Sequence, residues 1–225
     1  MATPGQLIDG AATATGMNRS TVENLYNHLR DAGDIPKGAR GKNALHVTSE
    51  HAAKLLIAIC GSEHVKDAVG AVKRYSQLSA TTVHTWERNR EFIAPMGDAT
   101  WRKAARTFPR LGLLNTTHGF LDALVSIIES YVDAAPDASV EVSLRGPYPW
   151  AGVRITIRKD KELGSPVLIA YSDDGDEDGP GEIARIDPTK ERQRRKFLTL
   201  GGDLNTTATI SDVTLAAIGR LLRDD

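Results

Sequence analysis

At 225 residues, with 40% hydrophobic and 25% charged side chains, the chain has a globular composition and enough length for one large or two small domains. A formal net charge of −1 excludes an indiscriminate, histone-like polycation, so any contact with nucleic acid has to come from local patches. The single cysteine, Cys60, excludes an intrachain disulfide and points to a reducing, cytoplasmic setting; no apolar run is long enough to span a bilayer, and the first residues lack the basic start and apolar core of a secretory signal.

The first pattern along the chain is the most informative. Ile8, Ala11, Ala12, Gly16, Met17, Val22, Leu25 and Leu29 fall at the offsets of two helices joined by a tight turn. Small Ala12 lets the helices cross closely, and Gly16 takes the positive φ of the turn without steric cost. Val22, Leu25 and Leu29 form an apolar stripe at helical spacing. Asn18, Arg19, Ser20, Thr21, Glu23, Asn24 and Asn27 then face away from the core, a polar surface suited to base edges in a major groove. A purely structural helical hairpin is the alternative. The second helix is expected to stop at Ala32, with Gly33 just beyond it. Residues 35–47 read as a short glycine-rich ribbon whose tip carries Lys37, Arg40 and Lys42, placed to neutralise phosphates or simply solvated.

Residues 7–47, and the run Ala-Thr-Ala-Thr-Gly-Met-Asn-Arg-Ser-Thr-Val at 12–22 in particular, resemble the winged helix-turn-helix domains of bacterial and phage transcription regulators. Thr15 departs from the apolar residue usual in the first helix. The resemblance covers about a fifth of the chain and implies a sequence-specific double-stranded DNA-binding protein. Its recognition helix would span 19–32. Asn18, Arg19, Ser20, Thr21, Asn24 and Asn27 would approach bases or adjacent phosphates, and Lys37, Arg40 and Lys42 would hold the backbone. Residues 1–48 carry only one cation more than they carry acids. Two copies would strengthen so weak a field, which favours a homo-oligomer, a dimer first, with half-sites about 34 Å apart or a multiple of that.

Thr48 reads as the cap of a third helix with Ala52, Leu55, Leu56, Ile59 and Cys60 inside, and Ser62 as the cap of a fourth with Val65, Ala68, Val69, Val72 and Tyr75 inside. These close a DNA-binding domain at 1–76. Residues 77–114 read as a connector, basic and aromatic, in which Trp86, Phe92, Trp101 and Phe108 pack and the arginines are solvated, in preference to nucleic-acid contact by phosphate pairing and stacking. Residues 115–225 read as a small α+β domain for dimerisation or partner contact. Its first helix is capped at Asn115 or Thr116 and carries Leu121, Leu124, Val125, Ile128 and Val132 inside. Period-two strands follow at 140–144 and 153–157, a third at 166–171, weaker ones at 197–200 and 207–210, and a closing helix begins after Ser211. The fold class expected is α+β with an antiparallel sheet.

No pattern carries catalytic chemistry, and the chain is read as a non-enzyme. The acidic run at 173–179 begins like a calcium loop but places Pro180 and Arg185 where ligands belong, so it reads as a solvated loop. The run Lys190-Glu191-Arg192-Gln193-Arg194-Arg195-Lys196 fits a solvated turn, a pairing with that acidic loop, or phosphate contact. Six histidines show no zinc spacing, and no cofactor or metal is expected. Two other functions fit the same pattern: a phage assembly protein such as a small terminase subunit, and a protein-interaction module.

Overall fold

The computed structural model describes residues 2–37, 46–87, 90–95, 107–134, 136–146, 149–159, 162–163, 166–172 and 206–223. Helix α1 (Pro4–Thr15) begins with a reciprocal cap, in which Thr3 Oγ1 accepts from the Gln6 amide and the Gln6 side chain accepts from the Thr3 amide. It ends at Gly16, whose φ of 68° is the left-handed conformation a glycine adopts without strain. Helix α2 (Arg19–Ala32) follows and ends at Gly33 with φ 88°. Helix α3 (Ser49–Gly61) uses Thr48 and His51 as a second reciprocal cap. A 3-10 turn (Val65–Asp67) leads into α4 (Ala68–Ser76), so the fourth helix starts later than a cap at Ser62 would place it.

The stretch read as a connector supplies two strands, β1 (Ser79–Glu87) and β2 (Arg90–Pro95), and the single-turn helix α5 (Pro109–Gly112). A register shift between Ala80 and Thr82 explains why β1 lacks a period of two. The shift puts Ala80 and Val83, three apart in sequence, on the same buried side. Helix α6 (Phe120–Asp133) begins after Gly119 rather than at Asn115 or Thr116. Strands β3 (Ala138–Gly146), β4 (Trp150–Lys159), the two-residue β5 (Glu162–Leu163), β6 (Val167–Ser172) and β7 (Thr206–Ser211) follow, and then α7 (Asp212–Arg223). The weak candidate strand at 197–200 lies outside the described residues.

The architecture is α+β. The main sheet has the order β2-β1-β6-β4-β3-β7, with every neighbouring pair antiparallel, and β5 pairs with the end of β4. Matched register gives it two unlike faces. Val83, Ile169, Val153, Val142 and Ile210 form one cross-strand row and are all buried. The adjacent row, displaced by one residue, is His84, Leu168, Arg154, Glu141 and Ser211, of which the last three are exposed. Helices cover the first face. Helices α3 and α6 are the most enclosed of them, and on α6 Phe120 lies edge-on to the Tyr171 ring at 5.4 Å.

Both α3 and α7 pack against α6 and against strands β3 and β7. Helix α1 lies on α7: the Thr214 hydroxyl donates to the Ala14 carbonyl at 3.2 Å, and Leu221 crosses directly over Gly10. Buried residues from α1 through α7 form one continuous cluster.

Candidate nucleic-acid interface

Helix α2 is two-sided because its apolar residues recur every three or four positions. Val22, Leu25, Tyr26 and Leu29 are buried against α1, α3 and α4. On the opposite side Ser20, Asn24, His28 and Asp31 are exposed, with Thr21 and Asn27 half-buried beside them. Positions 20, 24, 27, 28 and 31 follow one another along a single stripe.

Asn18 caps the helix, its Oδ1 accepting from the Ser20 amide at 2.9 Å and from the Ser20 hydroxyl at 2.8 Å. Two of the residues assigned to base contact are therefore engaged in starting the helix, although the Asn18 amide nitrogen is not used in that cap. Thr15, which departs from the apolar choice, is accommodated because its hydroxyl donates to the Ala11 carbonyl at 2.7 Å.

Arg19 is exposed but not uncompensated. Its Nε donates to Asp9 Oδ1 at 2.6 Å and its Nη1 to Glu23 Oε2 at 2.7 Å. Asp9, first by that hydrogen bond and then by its charge, holds the guanidinium above its ordinary value, and Glu23 adds to the effect. The guanidinium thus ties α1 to α2 across the turn. Such an exposed pair contributes little to stability, but it does offset the cation that was expected to meet DNA. Asp9 is the residue that sequence reasoning left out. Its spacing of ten from Arg19 spans two helices and a turn, so no single helical period connects them.

Lys37 is exposed. Arg40 and Lys42 lie outside the described residues, as does the rest of the ribbon tip at 38–45. The chain on either side of that tip is anchored. Ile35 is fully buried with its amide donating to the Leu29 carbonyl, and the Val47 amide donates to the Ala2 carbonyl at 2.9 Å. Lys54 is drawn to the same end of α2, donating to the Asp34 carbonyl at 3.0 Å while pairing with Glu50. The acidic run at 173–179 and the basic run at 190–196 also lie outside the described residues.

Among the described residues no three His, Cys, Asp or Glu side chains converge as a metal site, and no helix is long and apolar enough to cross a membrane. Comparison with protein-family models, with curated proteins and with solved structures gives no match to this chain.

Proposed function

We propose that this protein binds double-stranded DNA sequence-specifically, as a bacterial or phage transcription regulator, with residues 7–47 acting as a winged helix-turn-helix and α2 as its recognition helix. The observation that supports this reading is the exposed polar stripe of α2, held at a fixed angle to α1 by the left-handed turn at Gly16 while the opposite stripe is buried. A helix about 10–12 Å across fits a major groove about 12 Å wide. Asn24 sits mid-stripe, where an amide can bond both edge positions of an adenine. Ser20 and Thr21 lie at the N-terminal end of the helix, the end that enters the groove in such domains.

Electrostatics make the single copy a weak binder. A phosphate approaching Arg19 has to displace Asp9 or Glu23, and Arg30 is similarly drawn to Asp31 at 3.2 Å. Lys37, Arg40 and Lys42 would then carry the backbone contacts, and a two-fold pair of copies would double them.

The test is selection of genomic fragments at physiological salt with non-specific competitor, followed by two substitutions on the selected site. Asn24→Ala is expected to cost about 1–3 kcal/mol on that site and to leave non-specific binding unchanged. Asp9→Asn is expected to strengthen binding to every duplex alike. It should also steepen the dependence of log affinity on log salt by about 0.9 for each additional phosphate that Arg19 contacts. A selection that enriches no sequence, or an Asn24→Ala protein that binds the selected site as the parent does, overturns the proposal.

A further inference from the structure

A cavity of about 440 Å³ lies between the C-terminal end of α3, the 3-10 turn, α4 and the adjoining ends of β3 and β7. That is within the range of about 300–1,000 Å³ that small-molecule sites occupy. Its inner wall is apolar, formed by Leu144 and Ala208 from the sheet and the ring of Tyr75 from α4. Tyr75 is fixed in place: its hydroxyl donates to the Arg145 carbonyl at 2.7 Å, and its ring approaches Gly61 so closely that a Cβ there would lie 2.6 Å from it. Cys60 belongs to the same wall. Burial pushes its thiol up to about 12, so it stays neutral and behaves as an apolar group rather than a nucleophile.

The mouth of the cavity is charged. Arg74 lines it from α4, and Glu63 and Asp67 line it from the chain that follows α3. Among the described residues none of these three is ion-paired, unlike Arg19, Arg30, Lys54 and Arg110 elsewhere on the surface. The C-terminal end of α3, the negative end of its dipole, forms the wall beside Glu63. The Ser62 side-chain oxygen there is shielded from solvent and has no hydrogen-bond partner among the described residues. One cation, two carboxylates and a helix C-terminus therefore line the same partly apolar space.

We propose that this cavity binds a basic α-amino acid, its carboxylate on Arg74 and its ammonium groups on Glu63, Asp67 and the end of α3. The charge inventory selects this class. The two carboxylates disfavour a phosphate-bearing ligand, Arg74 disfavours a bare divalent cation, and the net negative charge of the three side chains favours a zwitterion carrying one extra positive charge. The proposal does not depend on α2 binding DNA.

Calorimetric titration of the full chain with L-lysine, putrescine and L-glutamate tests it. L-lysine is expected to bind, with putrescine at least about tenfold weaker for want of a carboxylate and L-glutamate weaker again. Arg74→Gln is expected to abolish the preference for L-lysine over putrescine. The double substitution Glu63→Gln, Asp67→Asn is expected to weaken both. Arg74 and Glu63 are exposed, and half-buried Asp67 makes no side-chain capping bond to α4, so these variants should keep the parent's thermal unfolding, which is measured alongside. Ala208→Leu, which fills the apolar wall, is expected to weaken all three ligands. Absence of binding heat with L-lysine up to millimolar concentration overturns the proposal. So does L-lysine affinity that is unchanged by Arg74→Gln or by Ala208→Leu.

Discussion

His118 is buried at 4% exposure with both ring nitrogens engaged. Nδ1 lies 2.7 Å from the Asn115 carbonyl, which can only accept, so Nδ1 carries the proton. Nε2, 3.0 Å from the Tyr171 hydroxyl, is then the acceptor. The neutral ring suits this site, and burial holds its pKa below the ordinary value, opposed in part by the Asn115 carbonyl and by Asp122. His51 has the same requirement for a different reason: its Nδ1 accepts the Thr48 amide in the cap of α3, which a protonated ring cannot do. Burial lowers its pKa too, with Glu50 opposing. In both, the folded value lies below the unfolded value of about 6.5. The unfolded chain therefore takes up protons first, and stability falls as pH drops from about 6.5 toward the folded values. The slope expected is up to about 1.4 kcal/mol per pH unit for each histidine. Urea unfolding at pH 7.5 and pH 5.5 checks this. His118→Gln, though less stable throughout, should show a shallower pH dependence, and an equally steep one refutes the assignment. None of this was legible in the sequence, where six histidines without metal spacing gave no reason to single out two.

Glycines separate two kinds of constraint among the elements. Gly16 ends α1 with φ 68° and has no atom within 4 Å of where a Cβ would sit, so Gly16→Ala meets only backbone strain, about 1–2 kcal/mol. Gly219, inside α7, lies against α6, and a Cβ there would come 2.5 Å from Tyr131 Cβ and 2.9 Å from its carbonyl carbon. One helix backbone would press on another, which no rotamer change relieves, so Gly219→Ala is expected to cost more, about 3 kcal/mol or above. Urea midpoints at constant slope give the comparison, and a Gly16 variant less stable than the Gly219 variant reverses the reasoning. The same elements show what the sequence carries. The cap at Thr48 and the stripe of α2 are local signals, and they appear where the residues place them, whereas Asn18 was read as a DNA contact and is found capping α2. Asn115 was a real signal attached to the wrong structure: its side chain accepts from the Thr117 amide at 3.0 Å in a turn upstream of α6. β1 was hidden by its bulge, and β2 because its large apolar residues, Phe92 and Ile93, are about half exposed at the sheet edge.

At the scale of the molecule, sequence-distant elements complete one another. β7 pairs with β3, and α7 packs on both α6 and α1. No local period encodes such contacts, which is why the arrangement of the sheet and the docking of α1 were not readable in advance. Leu215 and Ile218 of α7 are fully buried, and together their burial is worth roughly 3–6 kcal/mol. That is a large part of the about 5–15 kcal/mol a typical domain has in total. A chain cut after Ser211 is therefore expected to lose cooperative unfolding, as read by near-ultraviolet circular dichroism during a thermal melt. A fragment of residues 1–76 that melts cooperatively alone would show the opposite, a self-sufficient N-terminal unit. The bond from Thr214 to Ala14 spans 200 positions. At roughly 5–20 amino acids per second, a ribosome needs about 10–40 s to travel that distance. Throughout that delay the newborn first helix has no finished berth, so its greasy side is open to chaperones or to neighbouring nascent chains.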